Sequence, residues 1–321
     1  MATAEQVAQA HYRRQKALAS TAAVAAARQW DLLDRDRLTE SWQAGVGPAV
    51  VTATTQAQLA AAQQAPAYLE ELAEAQGGSI TAPLLIASTF AGVASDGRPL
   101  ASLLFLPVLL VKSLLRDGIS LLEAFRRGRS MLTLLTSTQV ADAGRAAVSV
   151  GMTTERRWVT YIRTVTLPAC GRCIILAGKE YSWSTGFLRH PRCDCGMTPR
   201  FNTDSSPLPP NPAELFRNMT PEQQNKAFTN AGAAAIRDGA DIGQVVNARR
   251  GMTTAAGRSI TTEGTTVRGL AGRRLGELKK QRGERYRRSQ IPRPTPEQIY
   301  KDAAGDRELA IQLLKRFAYI V

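Results

Sequence analysis

Cys170-Gly-Arg-Cys173, followed by His190-Pro-Arg-Cys193-Asp-Cys195, is the stretch on which the reading of this chain turns. It carries all four cysteines of the 321 residues and one of the two histidines, the other being His11. Such clustering points to one metal site. Zinc takes four thiolate or imidazole ligands in a tetrahedron; a Cys-x-x-Cys turn offers two sulfurs and a second loop returns two more. Five candidates, Cys170, Cys173, His190, Cys193 and Cys195, compete for four places. Their spacing does not choose among them: either Cys193 or Cys195 is a spectator, or both bind and His190 stays out. Four protein ligands leave no position for water, so the expected zinc is structural. Two disulfides would need an oxidising compartment, and residues 1–10 show no basic segment leading into an apolar core. A catalytic thiol with His190 as its base would not need the Cys-x-x-Cys spacing.

The flanks suggest a small β-rich knuckle. Residues 158–166 are β-branched and aromatic, and 174–176 form a short apolar run stopped by Gly178, so each reads as a strand. A loop over 182–188 then crosses to His190. A unit this small buries little apolar surface, so metal binding would supply much of its folding free energy, on the order of 10 kcal/mol.

The run from Pro168 to Tyr181, with Gly178-Lys179 inside it and the His190-Pro191 pair after it, resembles the signature of the phage Mu F-type minor head proteins. The resemblance covers about residues 80–200. It implies a structural minor capsid (head morphogenesis) protein of a tailed phage, made in the bacterial cytoplasm and held in the virion head near the portal vertex. The implied partners are the portal protein and a major capsid or scaffold protein. Residues 238–252, 295–300 and 306–319 are similar to the C-terminal extensions of such proteins from phages of actinobacterial hosts.

Lysine and arginine outnumber acids by 41 to 27, a net charge of +14, which calls for an anionic partner. The excess peaks between Arg268 and Arg293. There Arg268, Arg273, Arg274, Lys279, Lys280, Arg282, Arg285, Arg287, Arg288 and Arg293 face only Glu277 and Glu284, a local charge of +8. Glycines at 269, 272, 276 and 283 weaken any helix there. The segment reads as a flexible basic extension that meets the phosphates of double-stranded DNA without regard to sequence; the bland alternative is a solvated linker.

The first seventy-six residues are helix formers with Val7, Ala10, Ala17 and Val24 at near-heptad spacing. Gly45, Gly47 and Pro48 are expected to divide them into two helices, the second bent at Pro66. Residues 83–87 and 103–111 are the most apolar runs; Pro107 and the Asp96-to-Pro99 break make them buried helices, not a membrane span. Another helix is expected over 136–150. Residues 205–212 are proline-rich, and Thr220-Pro221 and Thr295-Pro296 are helix-start signals. Residues 258–268 read as a hairpin or an extended arm, and 307–317 as an amphipathic helix.

The expected class is mainly α with a small β-rich zinc knuckle, an α+β fold with a flexible basic C-terminal extension. Its expected parts are helical arms (1–78), a core containing the knuckle (79–202), a proline-rich linker (203–212), a helical module (213–248), the basic segment (249–294) and a terminal helical module (295–321). No Walker loop, His-Glu-x-x-His or nucleophile turn occurs, so no enzyme is expected. The alternatives are a head maturation protease, whose serine-lysine pair would leave almost no signature, and a zinc-stabilised DNA-binding protein outside the capsid.

Overall fold

Thr3 starts the first helix, α1 (Ala4–Trp30), through a capping box in which its hydroxyl accepts from the Gln6 amide and the Gln6 side chain accepts from the Thr3 amide. The coordinates are a computed structural model covering residues 1–321; they describe all but Met1, Leu188, His190, Pro191, Arg192, Asp194, Pro207 and Gln281. Two compact units emerge: residues 1–164 with 179–209, and residues 165–178 with 210–321. The boundary after Pro209 falls inside the proline-rich stretch.

In the first unit α1 is followed by α2 (Leu38–Ser41), α3 (Gly47–Gln63), α4 (Ala65–Ala75), α5 (Leu100–Arg116) and α6 (Leu121–Thr153). The expected break at Gly45 to Pro48 is absent. The chain stays helical through a π turn, Trp42–Val46, and Pro48 sits in the first turn of α3, just past that irregular turn, where its fixed φ fits the helix. The interruption comes at residues 31–37 instead. Pro66 does separate two helices, α3 and α4. Residues 83–86 are not helical, and Leu84 and Ile86 are 97% and 69% exposed, so this run is not a buried helix. The second apolar run does form one: α5 carries Pro107 inside it and buries Leu103, Leu104, Val108 and Val111. The helix expected over 136–150 is the latter half of the longer α6.

Small residues let α1 and α6 approach. A Cβ on Gly128 of α6 would lie 2.5 Å from the Trp30 ring, and one on Gly144 would lie 2.2 Å from the Gln15 side chain. Trp30 itself is buried with Trp42, Leu104, Val108 and Phe125. A second apolar cluster joins Leu69 and Leu72 of α4 to Val148 and Met152 of α6 and to a three-stranded sheet. That sheet has the order β2 (Glu180–Ser182), β1 (Trp158–Val165), β3 (Cys195–Phe201). Thr160 pairs with Ser182 and Ile162 with Glu180 in the antiparallel β1–β2 ladder, and Trp158 meets Phe201 edge-on at 4.9 Å. The strand at 158–165 was legible; β3 was not, and residues 174–176 are no strand.

In the second unit, residues 171–174 form a short helix, α7 (Gly171–Ile174). Ile174 and Ala177 pack with Leu215, Phe216, Met219 and Phe228 from α8 (Pro212–Arg217) and α9 (Pro221–Phe228), the latter capped by Thr220 as its sequence suggests. Then come α10 (Asn230–Arg237) and α11 (Ile242–Ala248). The arm expected after 249 is folded. β4 (Met252–Ala255) and β5 (Arg258–Thr261) make a hairpin whose two-residue turn, Ala256-Gly257, has φ of 48° and 73°, the mirror-image turn that suits right-twisted strands. After α12 (Leu270–Leu275), a β6 (Leu278–Lys279) to β7 (Arg288–Ser289) pair precedes β8 (Arg293–Pro294), which adds to β5. The chain closes with α13 (Pro296–Ala303), capped by Thr295, and α14 (Arg307–Arg316).

This folding changes the meaning of the basic segment. Arg293 is fully buried, donating from Nε to Phe317 O, from Nη1 to Glu263 O, and from Nη2 to Gln244 Oε1 and Ala318 O. Its guanidinium lies 4.0 Å over the Tyr319 ring. A charge sealed in this way cannot meet phosphate. Arg274 donates to Lys315 O and Ile320 O at the end of α14, and Arg288 is held by Glu284 and Thr262 O. Arg268, Arg273, Lys279, Lys280, Arg282, Arg285 and Arg287 remain as exposed cations, with Tyr286 beside Arg268 and Arg285. What reads as a flexible run is thus partly the interior of a folded module.

Candidate metal centre

Cys-x-x-Cys sequences favour a tight turn, and here Cys170 occupies the N-cap of α7 while its carbonyl accepts from the amides of Cys173 and Ile174 at 3.0 Å. Cys173 is thereby carried one turn on and is buried, whereas Cys170 is exposed. Cys195 is the first residue of β3 and is buried; Cys193 is half-buried. The sulfurs of Cys193 and Cys195, both in the first unit, lie within 4.8 Å of each other, while Cys170 and Cys173 belong to the second unit. Around a tetrahedral ion with metal–sulfur bonds of about 2.3 Å, sulfurs sit about 3.8 Å apart, so small side-chain rotations would suit this pair to a metal. Of the five expected ligands, Cys193 and Cys195 stand side by side in the first unit, Cys170 and Cys173 lie one helical turn apart in the second, and His190 lies outside the described residues. No disulfide joins the cysteines.

Three helical side chains hold the strand that bears Cys195. Tyr68 of α4 donates its hydroxyl to Met197 O at 3.1 Å. Gln76, just past α4, donates to Pro199 O at 2.9 Å and accepts from Phe201 N at 2.7 Å, acting as a neighbouring strand would. Arg145 of α6 donates from Nη2 to Cys193 O at 2.9 Å and from Nε to Cys195 O at 3.2 Å. Its Nη1 meets Asp142 at 3.0 Å, and Asp142 also accepts from Arg189. None of these polar holders is evident from sequence. Only the three-residue spacing of Asp142 and Arg145 on one helix face hints at a pair.

His11 is not on an exposed helix face. It is buried in α1 with its ring stacked 3.9 Å from that of Tyr68, and its Nδ1 has no hydrogen-bond partner among the described residues. Burial, reinforced by the charge of Arg14, holds its pKa down to about 3, so the ring is neutral. A cavity of about 450 Å³ in the first unit runs past His11, Gln15, Thr138, Arg145, Cys193 and Cys195. No helix among the described residues is long and apolar enough to cross a membrane.

No curated protein and no solved structure matches the chain. A protein family does: the one described as VG15 protein matches residues 1–221, more than half of the 321 residues. The match takes in the whole helical unit, its sheet and all four cysteines, and ends at the first residue of α9. The chain therefore belongs to the VG15 protein family, a family of viral (phage) proteins.

Proposed function

We propose that the chain is a structural minor head protein of a tailed phage, present in few copies at the portal end of the head and stabilised by one zinc ion. The paired cysteines, Cys170 with Cys173 and Cys193 with Cys195, in a phage protein family carry this reading. A soft, sulfur-rich set selects zinc over the hard cations, and four of Cys170, Cys173, His190, Cys193 and Cys195 would make the tetrahedron. When bound, the ion supplies folding free energy and no chemistry. The partners are the portal protein and a major capsid or scaffold protein, and the site of action is the head interior. No catalytic role is assigned. His11, which a histidine-based protease would need if His190 binds metal, is buried against Tyr68, and no carboxylate among the described residues bonds its Nδ1.

The exposed cations of the second unit would meet the phosphates of packaged duplex DNA. Seven of the ten cations between Arg268 and Arg293 remain outside the module's own hydrogen bonds with backbone carbonyls. The log–log salt dependence of binding should therefore not exceed a slope of roughly −6, at about −0.9 per phosphate. Changing Arg273, Lys279, Lys280 and Arg287 to glutamine should flatten it.

Elemental analysis of the purified chain should find one zinc per molecule, and quantitative mass spectrometry of purified virions should find far fewer copies than of the major capsid protein. A metal-free chain would remove the zinc, and copy numbers equal to the capsid protein would remove the portal assignment. Absence from assembled heads would favour a free DNA-binding protein.

A further inference from the structure

The strongest unexplained polar group in the first unit is the guanidinium of Arg145. Its three nitrogens are all committed. Nη1 is tied to Asp142, one turn earlier on α6, which is itself only 6% exposed; Nη2 and Nε take the carbonyls of Cys193 and Cys195. The Phe187 ring lies 5.7 Å from its Cζ. A planar fork that grips both carbonyls fixes the backbone from which both thiols project. The fork is rigid because a buried carboxylate on a long helix fixes its other edge. An arginine suits this task and a lysine does not, since an ammonium is a single point that cannot span two acceptors with a fixed angle between them.

We propose that Arg145, anchored by Asp142, is a positioning residue for the metal centre: it presets the Cys193–Cys195 pair for a divalent, thiophilic ion before the ion arrives. The inference rests on the zinc reading above, and goes beyond it by assigning the affinity of the site to a helix outside the cysteine motif. Presetting removes the conformational entropy that two loose cysteines would lose on binding.

The test is a zinc titration of the full chain against a chromogenic chelator, with thermal unfolding of the metal-free protein measured in parallel. Arg145→Gln should weaken zinc binding by about 10- to 100-fold, the usual effect of removing a partner that orients a ligand. Arg145→Lys should fall between it and the wild type, and Asp142→Asn should weaken binding by a smaller factor than Arg145→Gln. Wild-type affinity in Arg145→Gln, with zinc bound normally by the parent, would overturn this inference and leave the zinc reading intact. A parent chain that binds no zinc would overturn both. If Arg145→Gln does not fold, Asp142→Asn decides: unchanged affinity there overturns the positioning role. An equal loss of zinc affinity and of metal-free stability in Arg145→Lys would likewise reduce Arg145 to a structural staple.

Discussion

Along α1 and α6 small residues make room for larger ones: Gly128 lies against the Trp30 ring, Gly144 against the Gln15 side chain, and Ala19 and Ala22 cluster with Val140. Around Arg293 the opposite holds, because a long cationic side chain is sealed among carbonyls and lies over the Tyr319 ring. The first arrangement draws its stability from area and shape, through close approach of the helices at these positions. The second depends on saturating every donor of one buried charge. Area is tolerant of chemistry but not of volume; a saturated charge is tolerant of volume but not of chemistry.

Substitutions that respect one rule and violate the other should break each region differently. Arg293→Leu keeps an apolar bulk over Tyr319 but strands the Gln244 side chain and three backbone carbonyls, and should cost about 4 kcal/mol. Urea unfolding of the variant measures it, and a loss below about 1 kcal/mol would mean that water replaces the guanidinium. Gly128→Val adds no polar group yet pushes a Cβ into the Trp30 ring, 2.5 Å away, and should cost about 3 kcal/mol by overpacking. Quenching and shift of tryptophan emission would report the displaced ring.

The smallest of the three effects depends on pH. Because burial holds the His11 pKa down to about 3 against 6.5 when unfolded, the unfolded chain takes up the proton first as pH falls. Stability is therefore complete above about pH 6.5 and is lost progressively toward pH 3, by about 2 kcal/mol at pH 5. His11→Phe keeps the stack on Tyr68 and should flatten that part of the acid profile. Since acid also protonates thiolates, the comparison is made on metal-free protein. Identical profiles for parent and variant would show that His11 is hydrated in the folded state.

Period and capping made most helices readable. Thr220 and Thr295 each cap the helix that follows, as short polar residues ahead of an apolar face should, and Pro66 ends one helix and begins the next. The cysteine spacing made the metal centre readable as a cluster, yet not its membership, because Cys195 of the second pair is placed by β3, a strand with a glycine and a proline in it that no alternation announces. Glycines at Gly45 and Gly47 mislead for a related reason. Gly47 marks close packing, with the Trp42 ring 2.4 Å from where its Cβ would be, and Gly45 lies within the π turn with open space around it; neither marks a chain break. Least legible were the buried arginines. Charge in a sequence reads as surface, and nothing in the run from 268 to 293 distinguishes Arg293, which is interior, from Arg287, which is exposed.

One piece of connectivity bears on how genes of this kind can be recombined. Residues Val165–Gly178 interrupt the first unit but belong to the second, where Ile174 and Ala177 pack with Leu215, Phe216 and Phe228. The proline-rich stretch thus looks like a seam in sequence without being one in the fold. Exchange of everything beyond it would hand the resident Ile174 a foreign surface, and only incoming modules that keep an apolar seat at the positions of Leu215, Phe216 and Phe228 could be accepted. Inheritance of the C-terminal module is in this way coupled to a loop encoded well upstream of it, inside the cysteine motif.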